Sequence, residues 1–304
     1  MLSGSAKKPS QGVLLLMLLP ATLYFISFHY IPITGIILAF KQYSISGGFF
    51  ASPWVGLNNF RFLWVSGKLW TVTRNTLLYN LAFMFTTHAA AILVAVFLND
   101  LIGNRSKKAI HAVIFLPYFV SYVILGVFVY NILNYEFGSL NTALAALGYE
   151  RINVYQEKAI WPFILIFFNL WKWVGYSSII YLAVAVGIDK QLYEAAMIEG
   201  ASIWQRTWRI TIPMIIPTFV IILLLQLGRI MRGQFDLFYN IVGNNSQLFE
   251  LTDVIDTFVF RSLVFNFDIG MSTAAGFYQS TIGLVLILTV NWAIRRFRPD
   301  YALF

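Results

Sequence analysis

Residues 189–213 read DKQLYEAAMIEGASIWQRTWRITIP, a polar island between two long apolar runs. The pattern predicts helix, turn, helix. Asp189 can cap the first helix, because its carboxylate can accept from a free N–H of the opening turn. Leu192, Ala195, Ala196 and Ile198 then give that helix an apolar face. Gly200 stands where the helix should stop, since glycine takes the left-handed cap conformation without a Cβ clash. Ser202 and Gln205 form the S-x-x-Q pattern of a capping box that opens a second helix. Pro213 has no N–H to give a continuing helix, so it marks a boundary or a kink.

Outward from this island the chain is apolar. It is 59% hydrophobic and 11% charged, against roughly 25% charged residues in soluble domains. With a mean hydropathy of +0.72, the composition calls for a lipid bilayer as solvent. The net charge of +8 does not point to nucleic acid, because the basic residues are scattered among apolar runs rather than gathered on one face. There is no cysteine, hence no disulfide and no thiolate metal site, and three scattered histidines make no metal centre. No cofactor is implied.

Six runs near the ~20 residues that a bilayer core demands fall at about 13–40, 75–98, 111–133, 160–186, 214–231 and 273–294. The first follows Lys7 and Lys8; it is too long for a signal peptide, and no A-x-A site follows it. His29 and Tyr30 inside it suit hydrogen bonding between helices. Segments 42–73 and 134–158 are mixed, 99–110 is short and basic, and 233–272 is a long polar connection. With the N-terminus inside, the cytoplasmic segments collect Lys7, Lys8, Arg105, Lys107, Lys108, Lys190, Arg206, Arg209, Arg295, Arg296 and Arg298. The opposite loops hold fewer cations over longer stretches, so the bias puts both termini in the cytoplasm. The same orientation turns 189–213 toward the cytoplasm. With neither an internal repeat nor a soluble domain, residues 1–304 read as one all-α transmembrane domain of six spans.

Glu194-Ala195-Ala196, Gly200, Ile210 and Ile212-Pro213 resemble the EAA loop of ABC-importer permeases, E-A-A-x3-G-x9-I-x-L-P, with Ile212 in place of the usual leucine. The likeness extends to LPATLYFISFHYIP (19–32), SPWVGLNNF (52–60), RNTL (74–77) and IIYLAVAVGID (179–189). These segments resemble the carbohydrate-uptake branch, in particular the LplB-like permeases of complex oligosaccharide importers. The resemblance implies a type I ABC importer permease fold in the bacterial cytoplasmic membrane. It also implies a second homologous permease subunit, two cytoplasmic ABC ATPase subunits and an extracytoplasmic solute-binding protein. Residues 189–213 would then be the coupling loop, with Glu194, Ala195, Ala196, Gly200, Ile210 and Pro213 facing an ATPase subunit.

The chain contains no G-x4-G-K-[ST] phosphate loop, no G-x-G-x-x-G and no H-E-x-x-H. It is therefore not read as an enzyme, and energy for uphill transport has to enter from a partner. Charges inside spans are costly and face a protein interior or a wet cavity. Lys172, within WKW, and Arg229 and Arg232, at the end of the fifth run, are candidates to meet hydroxyls or carboxylates of a sugar. Pairing with Asp236 or Glu136, or snorkelling to the interface, is the alternative. Asn169, Trp171, Trp173, Tyr176 and Gln226 complete the candidate pathway, since pyranose C–H faces stack on aromatic rings. An ion- or proton-coupled carrier would show carboxylates in mid-span, where this chain shows a lysine. A membrane enzyme would need a nucleophile–base or metal-ligand set, and the spans offer none.

Overall fold

The computed structural model describes residues 11–101 and 104–297; Lys7, Lys8, Arg298 and the side chain of Arg105 lie outside the described residues. Among the described residues every regular element is a helix, apart from an isolated bridge between Lys41 and Trp54. The principal helices are α1 (Gln11–Phe25), α2 (Lys68–Val96), α3 (Asn104–Phe115), α4 (Tyr122–Leu133) and α5 (Trp161–Val186). They continue as α6 (Lys190–Ile198), α7 (Ile203–Arg206), α8 (Ile212–Leu227), α9 (Phe235–Val242), α10 (Ile255–Val264) and α11 (Ile269–Phe297).

Among the described residues five helical runs are long and apolar enough to cross a bilayer: Gly12–Phe40, Lys68–Asn99, Lys158–Val186, Ile203–Leu227 and Ile269–Arg296. The third apolar run of the sequence is not one straight helix. It consists of Ser106–Phe119 and Tyr122–Leu133, which meet at 93° and make a sixth crossing if taken together. Two residues cause the break. Pro117 offers no N–H to the ladder, and Ser121 restarts the helix as an N-cap, its Oγ accepting from Ile124 N–H at 3.2 Å.

α2 and α5 form the most extensive helix pair. At one end Ala91 and Ala95 of α2 and Ala185 of α5 join Tyr181 and Ile215 in a small-residue core, which allows close backbone approach. Toward the other end Tyr79, Phe83, Leu125, Leu165 and Phe168 meet Leu237, Phe238 and Ile241 of α9. The helix through Phe40 is exposed along residues 12–34, and only its end packs, Ala39 joining Met271, Ala274 and Ala275 of α11. Such a surface suits lipid, since an apolar helix has nothing to hide from hydrocarbon.

Segment 233–272, expected as a long polar connection, is instead a packed helical cap. Leu237, Phe238, Ile241, Val242, Leu248, Val254, Ile255 and Phe258 are all buried. FDLFYNIV places its apolar residues three and four apart, so α9 presents one face to the core. No run in the segment is long enough to announce this as a span would. α2 ties the cap down with the residues of RNTL. Asn75 Nδ2 donates to the carbonyls of Glu250 and Asp253 at 3.1 and 3.0 Å. Thr76 Oγ1 accepts from Ile255 N–H at 3.0 Å, and Tyr79 OH donates to Leu251 O at 2.9 Å. Asp253, fully buried, pairs with Arg261, and Lys68 stands 3.9 Å away. The SPWVGLNNF segment acts similarly: Asn59 Nδ2 donates to the carbonyls of Ala39 and Lys41 at 2.8 and 3.0 Å.

Candidate functional site

Helix, turn and helix form over 189–213 through the residues that the sequence singles out. Asp189 accepts from Gln191 N–H at 3.0 Å and opens α6. Gly200, at φ +80°, closes it. Its N–H donates to Met197 O at 3.0 Å and that of Ala201 to Ala196 O at 2.9 Å, so two carbonyls of the last turn are satisfied. Ser202 and Gln205 complete the capping box of α7, with contacts of 3.3 and 2.7 Å. Tyr193 OH lies 2.8 Å from Thr211 Oγ1 and fastens α6 to the foot of α8.

Pro213 does not end the helix. A π turn, Thr207–Thr211, precedes it and the helical run continues to Leu227. The extra residue in that turn relieves the clash between the proline ring and the carbonyl four residues back. Ile210 is half-buried at this foot.

The knuckle offers apolar side chains to its surroundings: Ile198 is 88% and Trp204 72% exposed, with Met197 and Leu192 half-exposed. Glu194 is exposed beside them, while Ala195 is exposed and Ala196 half-buried. Neither Arg206 nor Arg209 forms an ion pair with Glu194 among the described residues. Exposed apolar side chains thus stand beside an exposed carboxylate on the knuckle.

A second constellation surrounds the broken span. Lys172 is buried, 5% exposed. Its ammonium donates to the carbonyls of Tyr118, at 2.9 Å, and Val120. It lies over the rings of Tyr122 and Tyr118, 4.8 and 5.9 Å from their centroids. A cation thus satisfies the carbonyls that the helix break leaves open. Asp236 and Glu136 are not its partners. Around it Trp173 Nε1 donates to Tyr122 OH at 3.0 Å, and Tyr122 OH donates to Gln234 Oε1 at 3.2 Å. Tyr118 stacks on the exposed Tyr176 at 4.6 Å. Asn169 is buried, donating to Thr87 Oγ1 at 3.1 Å, and its Oδ1 has no partner among the described residues. Trp171 packs on the core beneath the cap.

Arg229 and Arg232 lie elsewhere, in a cleft of about 570 Å³ between the end of α8 and α11. Both are exposed, and neither forms an ion pair among the described residues. Asp256 shares the cleft; its carboxylate accepts from Gly233 N–H at 2.6 Å and Gln279 Nε2 at 3.0 Å. Burial pushes this carboxyl above the usual carboxylate range, against the hydrogen bonds and the charge of Arg232. Gln226 is exposed one turn before Arg229. Of the eight pathway candidates, Lys172, Trp173 and Tyr176 gather at the helix break and Arg229 and Arg232 at the cleft, while Asn169, Trp171 and Gln226 join neither group. Asp256 and Gln279 were missed, because nothing in one sequence brings α10 and α11 to the end of α8.

Comparison with known proteins follows the same lines. A family described as binding-protein-dependent transport system inner membrane component matches residues 89–301. Protein LplB of Bacillus subtilis (strain 168) is 30% identical over 287 residues, 94% of this chain and 90% of that protein. The polygalacturonan/rhamnogalacturonan transport system permease protein YteP of the same organism is 32% identical over 293 residues, 95% of this chain and 90% of its own. A chain of a bacterial alginate ABC transporter, solved with an alginate pentasaccharide-bound periplasmic protein, is 32% identical with a TM-score of 0.82. That match covers 93% of this chain and 94% of the other.

Proposed function

This chain belongs to the binding-protein-dependent transport system inner membrane components and is an ABC-importer permease rather than an ion-coupled carrier; we propose that its cargo is an acidic oligosaccharide. The observation that carries the substrate reading is the cleft between α8 and α11, where Arg229 and Arg232 stand exposed and form no ion pair among the described residues, while Asp256 in the same cleft is held by Gly233 and Gln279. Guanidinium groups bind carboxylates in a planar, bidentate fashion. A chain of uronate units would supply one carboxylate per residue. The relatives named for polygalacturonan and for alginate transport support this reading. The stacked pair Tyr118–Tyr176, with Trp173 against it, offers ring faces for pyranose C–H surfaces. Lys172 works from behind that wall by holding its backbone, and Asn169, Trp171 and Gln226 complete the pathway.

The assembly that follows from this reading has a second permease, two ATPase subunits and an extracytoplasmic binding protein. ATP is hydrolysed in the ATPase subunits and not by this chain. The knuckle at 189–213 docks on one of them, through Glu194, Ala195, Ala196 and the turn at Gly200, while Ile210 and Pro213 join it to the fifth span. Both termini face the cytoplasm.

The test is uptake by proteoliposomes holding the assembled transporter and its binding protein. Galacturonate oligosaccharides should stimulate ATP hydrolysis and accumulate, whereas neutral glucose oligomers of equal length should not. Arg229→Gln with Arg232→Gln should lower acidic uptake at least tenfold, the scale expected from losing one or two charge-assisted contacts. Equal transport of the neutral series by the parent protein would overturn the acidic reading.

A further inference from the structure

We infer that the foot of the coupling knuckle contains an anion site for a phosphate group, either the headgroup of an anionic phospholipid or free phosphate. A cleft of about 830 Å³ opens there, lined by Lys107, Lys108, Lys190 and Arg206 over a floor that includes Ala185 and Ile188. The four cations come from three elements: the N-terminal part of α3, the first residue of α6, and α7. Among the described residues no carboxylate lines the cleft, and none of the four cations forms an ion pair. Arg206 is only half-exposed, and its Nε is buried with no hydrogen-bond partner.

Basic residues beside a span serve membrane orientation wherever they stand in a loop. Orientation does not require three separate elements to converge on one cavity, nor a guanidinium nitrogen to be buried and unsatisfied. Both features cost free energy when the cavity holds only water, through mutual repulsion and desolvation. A phosphate group in the cleft would offset the repulsion among the four cations. The place also suits a lipid. Val186 lines the cleft at 60% exposure and Ile203 at 43%, so apolar surface leads away from the cations as acyl chains would. Basic pockets between helices at a membrane face are where anionic headgroups bind.

An anion bridging Lys107 and Lys108 to Lys190 and Arg206 would fasten the knuckle to the start of the third, broken span. It would stiffen the lever through which a docked ATPase moves that span. This role rests on the coupling reading of 189–213; the binding itself does not.

The experiment uses the full chain with its partner subunits in phosphatidylcholine nanodiscs doped with phosphatidylglycerol. Native mass spectrometry reads retained lipid, and phosphorus NMR reads inorganic phosphate. The parent protein should retain phosphatidylglycerol, phosphate should compete, and Lys107→Gln with Lys108→Gln should weaken retention at least tenfold. Lys190→Gln should do the same from the other side of the cleft, so one poorly folded variant cannot decide the matter. Arg209→Gln removes a charge from the same knuckle outside the cleft and should retain lipid as the parent does. Phosphate binding that is lost in the lysine variants, without lipid retention, would identify free phosphate as the source. Absence of both ligands, or equal loss in Arg209→Gln, overturns the site. Lipid retention without any ATPase coupling would leave the site standing and sink the coupling reading instead.

Discussion

Lys172 carries two competing demands, and the structure allows them to be separated. Its ammonium satisfies the carbonyls of Tyr118 and Val120 at the break between α3 and α4. Lys172→Met removes those donors while keeping most of the bulk, so about 2–3 kcal/mol of stability should be lost. Thermal unfolding of the purified protein reads that directly. An unchanged unfolding midpoint together with lost acidic-sugar uptake would instead mean that the charge acts on cargo. Gly200 presents a different case. A Cβ there meets no atom within 4 Å, so space is not the obstacle; the φ of +80° is. Gly200→Val should strain the turn by about 1–3 kcal/mol and abolish ATPase stimulation, with membrane insertion unaffected. Gly200→Asn, which tolerates the left-handed region, should keep most of the turnover. Equal activity of the two variants would show that the turn's backbone does not transmit the stroke.

Among the elements, the cap over 233–272 is held by close contact as much as by hydrogen bonds. α9 crosses α4 at Gly126, where an added Cβ would overlap the Asn240 carbonyl. Gly126→Val should therefore push α9 away from the core that Leu237, Phe238 and Ile241 share with Tyr79 and Leu125. Overpacking of this kind costs about 1–3 kcal/mol. Limited proteolysis of the cap should accelerate, whereas the Ala91–Ala185 core at the other end should keep its protection in hydrogen exchange. Uniform loss of protection through both cores would mean that the molecule unfolds as one unit and that the cap has no independence. The π turn at Thr207–Thr211 is the other element of consequence, because it lets a proline-containing helix continue into the span without a break.

For the whole molecule, the direct test is sidedness. The chain has no cysteine, so single cysteines report cleanly. Glu199→Cys in the knuckle and Asn244→Cys in the cap are both at exposed positions. An impermeant thiol reagent applied outside intact cells should label Asn244→Cys and leave Glu199→Cys unlabelled until the membrane is opened. The reverse pattern would invert the orientation and, with it, the placement of the coupling knuckle.

The sequence by itself determined what depends on neighbours along the chain. Asp189, Gly200, Ser202 and Gln205 act through local hydrogen bonds and one backbone dihedral, so the knuckle was legible residue by residue. Helix lengths and apolar runs are likewise local properties, and they marked the bilayer as the solvent. What only the tertiary structure decided involves residues far apart in the chain. The apolar run 111–133 looked continuous, but it breaks by 93° after Pro117, where Ser121 restarts a helix and Lys172, some fifty residues on, closes the open carbonyls. Asn75 and Thr76 looked like part of an apolar run, yet they clamp a cap whose backbone lies about 175 residues away. The cleft of Arg229, Arg232 and Asp256 exists only because α8, α10 and α11 converge there. A buried polar group needs a partner wherever the chain can supply one, and sequence order does not reveal which distant segment will do so.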